Sequence, residues 1–515
     1  MIRARLTIVV AAALSLGLTL PAAAQVGPQV EDACSSRGLP ARECRGPEHL
    51  AILAATECRL LGGGTVCDQI DGYSVNDAAV QAASTSWIAR SLAAQRTLDD
   101  NLPLHEEFWS HTHNSFNAEE YETPSLYGTD PNQLYTIPHQ LDMGIRAIEI
   151  DLHWVPSIHG NPDAVVVCHG DQVGGGPIKV HFGCLPTDPL LSDRLPAINQ
   201  WLHDHPGEVV MLYFENQMQD NGVDSPQAHT QAAAEIKKDF GDKIYTPPQG
   251  KGCSNLPLDI SRADIRNAGK QIILTGNCYS GGASPWDDLV FSRGPRWLES
   301  GLDYGDDYTA NSCSADEALA AKGNWIRHWG DMTGLSDNDP TALENKQPPG
   351  GGGDVTVDDA TTMIRCGVNM IGLDLLQPFD ARMAAEIWSW AQDEPKQNSA
   401  GACAISNADA RFVSADCSVR TKIVRRHRRK VVVTLPYEKH QYACWDGSAW
   451  HITKKAGRFG YGAAECHAEG LGTFNVPRGG YSNELLRAAK AAAGVSDVFV
   501  NYSSTPSGWL PGVST

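Results

Sequence analysis

At 515 residues the chain has room for more than one domain and for a sizeable core. Its formal net charge of −20 excludes a general affinity for nucleic acid or for anionic membranes, and suits a host for a hard cation such as calcium. Fourteen cysteines with no Cys-x-x-Cys spacing favour structural disulfides in an oxidising compartment over zinc or thioredoxin-like chemistry.

In chain order, "MIRARLTIVVAAALSLGLTLPAAAQ" opens with Arg3 and Arg5, continues apolar and ends in small residues. That pattern predicts a secretory signal peptide over 1–24 and an exported product. No later apolar run is long enough for a transmembrane segment. Residues 25–100 read as a helical, disulfide-tied extension, with Cys34/Cys44 and Cys58/Cys67 as local pairs. Further on, Cys168/Cys184 and Cys403/Cys417 are the expected pairs.

From 101 to 397 short apolar runs alternate with helical stretches: "RAIEIDLHW", "DAVVVCHG", "EVVMLYFEN", "KQIILTGNC", "NWIRHWGD" and "VNMIGLDLL". This alternation predicts an α/β fold, a TIM-type (β/α) barrel with a parallel sheet, closed rather than open. The Gly- and Pro-rich stretch 346–359 is expected to be a loop. Gln397-Asn398-Ser399 reads as a linker, so a barrel ending near Pro395 is expected to fold alone. Residues 398–515 form a small α+β C-terminal domain with its own cysteines and tryptophans.

The polar residues fall where the apolar runs end. His113 and Asn114 follow "EEFWS", Glu149 and Asp151 end "GIRAIEID", His169 ends "AVVVCHG", and Glu215 with Asn216 ends "EVVMLYFEN". In barrels of this kind the C-terminal strand ends share one rim, where active sites are built. Glu149 and Asp151 stand two apart, so both point to one face of a strand. Three clustered carboxylates repel one another unless a cation joins them, and oxygen-only ligands suit calcium or magnesium rather than zinc. Two histidines beside a metal make a phosphodiester-cleaving apparatus. Each residue alone has a plainer reading: a satisfied polar histidine, a solvated Glu-x-Asp edge, a helix-capping glutamate. Their coincidence at consecutive strand ends favours function.

"THNSFN", "GIRAIEIDLHW", "VCHG" and "EVVMLYFEN" together resemble the catalytic X region of calcium-dependent phosphatidylinositol-specific phospholipase C, in order and spacing, over about residues 105–218. The resemblance implies a phosphoric diester hydrolase or lyase. It places Asn114, Glu149, Asp151 and Glu215 on calcium, ahead of magnesium, and makes His113 and His169 the catalytic pair. The metal-independent bacterial branch replaces a metal ligand by an arginine; the acidic positions here point to the metal-dependent branch. No Y region follows residue 220, and the residues that grip a phosphorylated inositol have no counterpart. His328, Asp331 and Asp374, at later strand ends, are the candidate headgroup contacts.

The implied reaction is attack by the inositol 2-hydroxyl on phosphorus, releasing diacylglycerol and a cyclic inositol phosphate. The expected partner is a phospholipid or another phosphodiester, met at a membrane surface. A glycerophosphodiesterase or a sphingomyelinase D-like enzyme is the rival on the same barrel, and a non-catalytic surface-binding protein the rival of another class. The C-terminal stretch from "ACWDGSAWHI" onward loosely resembles a C-type lectin-like domain, without its Glu-Pro-Asn or Trp-Asn-Asp sugar signature. The basic run from Arg420 to Lys430 reads as a solvated strand or loop, with docking to anionic headgroups as the sharper alternative.

Overall fold

The computed structural model describes residues 77–121, 132–155, 163–169, 188–220, 222–301, 322–330, 355–396, 401–418, 421–426, 429–434 and 438–512. The expected signal peptide, the expected pairs Cys34/Cys44 and Cys58/Cys67, Cys184 and Asp331 lie outside these residues. No helix among the described residues is long and apolar enough to cross a membrane.

Among the described residues, twelve strands make the first part of the chain. They are β1 (Trp109–Thr112), β2 (Ala147–Val155), β3 (Ala164–Val167), β4 (Val210–Gln217), β5 (Gln219–Asp220) and β6 (Val223–Asp224), then β7 (Ile244–Tyr245), β8 (Ile272–Gly276), β9 (Phe291–Ser292), β10 (Trp297–Gly301), β11 (Trp325–Trp329) and β12 (Met370–Leu373). The sheet runs in the order β10-β11-β12-β1-β2-β4-β8-β7, with β9 also on β8. Every pair along it is parallel, as the strand–helix alternation requires. This is the expected α/β architecture of the TIM-barrel kind.

Two expectations are corrected. The ladder among the described strands is a half-barrel and does not close between β10 and β9. Side chains span that side instead: Trp297 stacks on Tyr213 with ring centroids 5.9 Å apart, and Arg293 reaches both the Tyr213 hydroxyl and Glu299. "DAVVVCHG" is not a barrel strand either, because β3 folds back antiparallel on β2, with Val167 opposite Leu152. An apolar run bounded by turns carries no mark of strand direction.

Alternation along the strands sorts the core into two layers. Trp109, Ala147, Met211, Tyr213, Ile273, Trp297, Trp325 and Met370 pack inside the sheet's curve. Ile148, Ile150, Leu212, Phe214, Leu274, Ile326 and Ile371 face the helices. The loop expected over 346–359 ends sooner than its composition suggests: Thr356 and Asp359 form a capping box that starts the helix Val357–Cys366, and Gly367 ends it at φ 85°. Gly372 faces inward, and a Cβ there would meet the Trp329 Cβ at 2.7 Å, so only glycine lets the strands approach this closely.

The helices Asp77–Ser84 and Trp87–Asp99 of the expected N-terminal extension lie against the barrel, with Val80, Trp87 and Leu92 in its outer core. Beyond residue 400 a second sheet runs β14-β13-β20-β17-β18, with β19 on β17 and β21 on β20. Its strands are β13 (Ala402–Ser406), β14 (Phe412–Asp416), β17 (Gln441–Trp445), β18 (Trp450–Ile452), β19 (Thr473–Phe474), β20 (Val498–Thr505) and β21 (Gly508–Pro511). A separate two-stranded ribbon is formed by β15 (Thr421–Arg426) and β16 (Arg429–Thr434). Cys403–Cys417 and Cys444–Cys466 tie the second sheet, and Cys253–Cys278 the barrel. The first is an expected pair; the other two were not legible from spacing.

The two parts share one core. Ala404, Leu486, Val498, Val500 and Tyr502 belong to the same cluster as the barrel's outer layer. Trp390 packs on Phe412, Tyr502 and Trp509, and the Asn483 amide donates to the carbonyls of Trp388 and Ala410. A cut near Pro395 would strip this seam of its partners, against the expectation of an independently folding barrel.

Candidate active site

The inward positions of β1, β2, β4, β10, β11 and β12 climb from apolar to charged toward their C-terminal ends. Below lie Trp109, Trp297 and Trp325. Above them come His111, Glu149 and Arg327, all buried, and at the rim His113, Asp151, Glu215 and Asp374. The register places Glu149 beside Tyr213 and Asp151 beside Glu215, so the Glu-x-Asp pair and the next strand's glutamate face one volume.

Oxygens of Glu149, Asp151 and Glu215 all lie within 4.8 Å of one another, a spacing that one metal ion could bridge. Burial pushes the Asp151 carboxyl well above the ordinary carboxylate range, and Glu215 and Glu149 push it further. Burial and Glu149 also raise Glu215. Burial works the same way on Glu149, but Arg327, His111 and His113 reverse it and hold that carboxyl below its usual range. Two buried oxygens, Asp151 Oδ1 and Asn114 Oδ1, accept no hydrogen bond. Asn114 sits in the left-handed region at φ 43°, which asparagine tolerates, and its amide nitrogen donates to Asn132. Orphaned acceptors beside self-repelling carboxylates fit a divalent cation with oxygen ligands.

His113 is held from behind: its Nδ1 is 3.2 Å from both carboxylate oxygens of Asp374. The Gln133 side-chain amide donates to the carbonyls of His113 and Leu373, locking the two strand ends together. Asp374, expected as a headgroup contact, is thus buried against the histidine instead. His169 is half-buried just past β3, which returns it along β2 toward the height of the acidic residues.

His328, the other expected headgroup contact among the described residues, does not join the cluster. Its neighbour Arg327 takes the inward position, and strand alternation turns His328 to the opposite face. Arg327 is the residue that sequence reasoning missed. It donates from Nη2 to Glu149 Oε2 at 2.6 Å, approaches His111 Nε2 at 3.2 Å, and lies over the rings of Tyr213 and Trp329 at 4.5 and 4.6 Å. The period-2 alternation in "WIRHW" was the available signal: a register that puts Trp325 inside puts Arg327 there too.

Glu149 Oε2 therefore already holds Arg327 and the Asn114 backbone N–H. Its other oxygen, Asp151, Glu215 and Asn114 Oδ1 remain to hold a cation.

A sequence-family profile described as the Rv2075c PI-PLC-like domain matches residues 71–380. The uncharacterized protein Rv2075c of Mycobacterium tuberculosis H37Rv is 35% identical over 470 residues, covering 88% of this chain and 88% of that one. The same figures hold for the uncharacterized protein MT2135 of strain CDC 1551. Among solved structures, phosphatidylinositol-specific phospholipase C from Listeria monocytogenes is similar at 18% identity and a TM-score of 0.34, covering 56% of this chain and 95% of that chain. A calcium-dependent phosphoinositol-specific phospholipase C from Pseudomonas sp. is similar at 15% identity and a TM-score of 0.32, covering 56% and 93%. Likenesses this loose assign no residue a role.

Proposed function

The chain belongs to the Rv2075c PI-PLC-like domain family, a phospholipase C-like group of phosphoric diester hydrolases and lyases, and from that premise we propose that it is an exported, calcium-dependent phosphodiesterase acting on phosphoinositides or a related phosphodiester. The observation that carries this reading is the pairing of an oriented histidine, His113 on Asp374, with a buried cluster of three carboxylates and two orphaned oxygens.

Asn114, Asp151, Glu215 and one Glu149 oxygen would hold calcium. Bound there, it supplies Lewis-acid stabilisation of charge on the phosphoryl group. The chain's own residues do the rest. Asp374 fixes the His113 ring through Nδ1, leaving Nε2 to donate to the phosphoryl oxygen as negative charge grows on it. The inositol 2-hydroxyl attacks phosphorus and passes its proton to the Glu149 or Asp151 carboxylate. His169, as imidazolium, gives a proton to the departing diacylglycerol oxygen. The products are diacylglycerol and a cyclic inositol phosphate, which water can open in a second step.

The test is product analysis on short-chain phosphatidylinositol with and without chelator. Diacylglycerol and inositol phosphates that vanish with EDTA support the proposal. Phosphate left on the lipid side would favour the sphingomyelinase D-like chemistry instead. A second reading rests on Arg327, which already neutralises Glu149 from within the cluster. Full activity in EDTA, lost in Arg327→Gln, would make the guanidinium the resident cation.

A further inference from the structure

The β15–β16 ribbon departs from the rest of this acidic chain. From Val419 to Thr434 stand seven arginines and lysines and no acidic residue, in a protein of net charge −20. Among the described strands the two pair only with each other, antiparallel, over six residue pairs from Thr421↔Thr434 to Arg426↔Arg429. Among the described residues no ladder joins either strand to the second sheet. Isolated ribbons of this kind are marginal in water unless one face finds a partner.

Ile423 and Val432 sit directly opposite each other in the ladder, so they share one face of the ribbon. They are 65% and 64% exposed, among the four most exposed large apolar side chains of the described residues. Lys422, Arg425 and Lys430 beside them are exposed too. Two strand pairs away from Ile423, on the same side of the ladder, Arg425 faces Lys430. Like charges directly opposite destabilise a hairpin by themselves, so this arrangement stabilises nothing inside the fold.

We propose that the β15–β16 ribbon docks the protein on anionic lipid membranes, its cations against the headgroups and the Ile423–Val432 pair in the acyl boundary. Cations alone would suit nucleic acid equally well. The paired aliphatics decide for a membrane, because phosphate backbones offer them no apolar partner while the interface does. The ribbon also counters the repulsion that a net charge of −20 meets at an anionic surface, by turning one concentrated positive edge toward it. The site is independent of the acidic cluster and does not rest on the catalytic reading.

The experiment uses the full-length mature protein and co-sedimentation with vesicles of phosphatidylcholine alone or mixed with phosphatidylglycerol. Wild type is expected to bind the mixed vesicles and to be released by salt. Lys422→Gln, Arg425→Gln and Lys430→Gln combined should weaken binding on the order of a hundredfold at low salt. Ile423→Ser with Val432→Ser should weaken it roughly tenfold or more, with little added salt dependence. Circular dichroism and hydrolysis of a soluble substrate should be unchanged in both variants. Equal binding to pure phosphatidylcholine, variants that bind as wild type does, or tighter binding to duplex DNA than to the mixed vesicles would each overturn the proposal.

Discussion

Two buried charged sites among the described residues, one in the second sheet's half and one at the barrel rim, are finished differently. In the C-terminal part, Lys490 is buried on the helix Gly480–Ala493, yet its ammonium donates to Ser406 Oγ at 3.0 Å and to the carbonyls of Ser406 and Asn407. At the barrel rim, Asp151 and Asn114 keep oxygens with no donor, and three carboxylates face one another. A charge buried for stability is surrounded by its complement. A cluster left short of partners is stable only because the core beneath it is rigid, and its complement arrives from outside. Burial alone does not separate the two; completeness of the hydrogen bonding does.

The sharpest way to break that comparison is Asp151→Asn. It should abolish cation binding, followed with terbium luminescence, and lower turnover about a thousandfold. The cation-free variant should melt no lower than wild type, because the substitution removes a repelled, buried carboxyl. A lower melting temperature with cation binding intact would place Asp151 among the finished, structural charges.

His113→Ala and His169→Ala come next, each costing roughly 10²–10⁴-fold in turnover. The two separate by leaving group. A nitrophenyl ester needs no proton on departure, so it should restore most of the loss in His169→Ala and little in His113→Ala. Equal rescue in both would reject the assigned roles.

The complementary variant is Lys490→Met. It strands buried acceptors and should cost about 1–3 kcal/mol in urea unfolding, while soluble-substrate turnover stays unchanged. Burial lowers the Lys490 pKa to about 8, so the unfolded chain binds its proton more tightly. Wild-type stability from this residue should therefore rise between about pH 8 and the ordinary lysine range, and that slope should vanish in the variant.

A slope of the opposite sign is expected at Glu386, whose carboxyl is buried beside Ser110 and pushed by burial up to about 8. A raised acid stays protonated in the fold while the unfolded chain ionises. Its contribution is full below the ordinary glutamate range and declines as pH rises to about 8. Glu386→Gln should flatten that decline in urea midpoints measured between pH 5 and 8. An unchanged slope would mean that another group carries it.

The architecture and the acidic cluster were legible because both rest on period: apolar runs alternating with helical ones, and carboxylates two apart on a strand. What could not be read depended on register or direction. "DAVVVCHG" reads alike for a parallel strand and for the antiparallel β3. Arg327 and His328 are neighbours in "WIRHW", and only the pairing of β11 decides which of them enters the barrel. Asp374 pairs with His113 across 261 positions, a contact that no local spacing announces. The disulfide Cys444–Cys466 spans 22 positions, and cysteine spacing alone does not select such a pairing.

The core shared by the barrel and the second sheet governs what a protease can do to this protein. A nick between Lys396 and Gly401 breaks one peptide bond but leaves Trp390 packed on Tyr502 and Trp509, and Arg365 paired with Glu484. The fragments should co-elute as one particle and separate only in denaturant, even though no disulfide among the described pairs joins them. A cut chain and an intact one would thus be told apart by denaturing electrophoresis and not by size in native buffer.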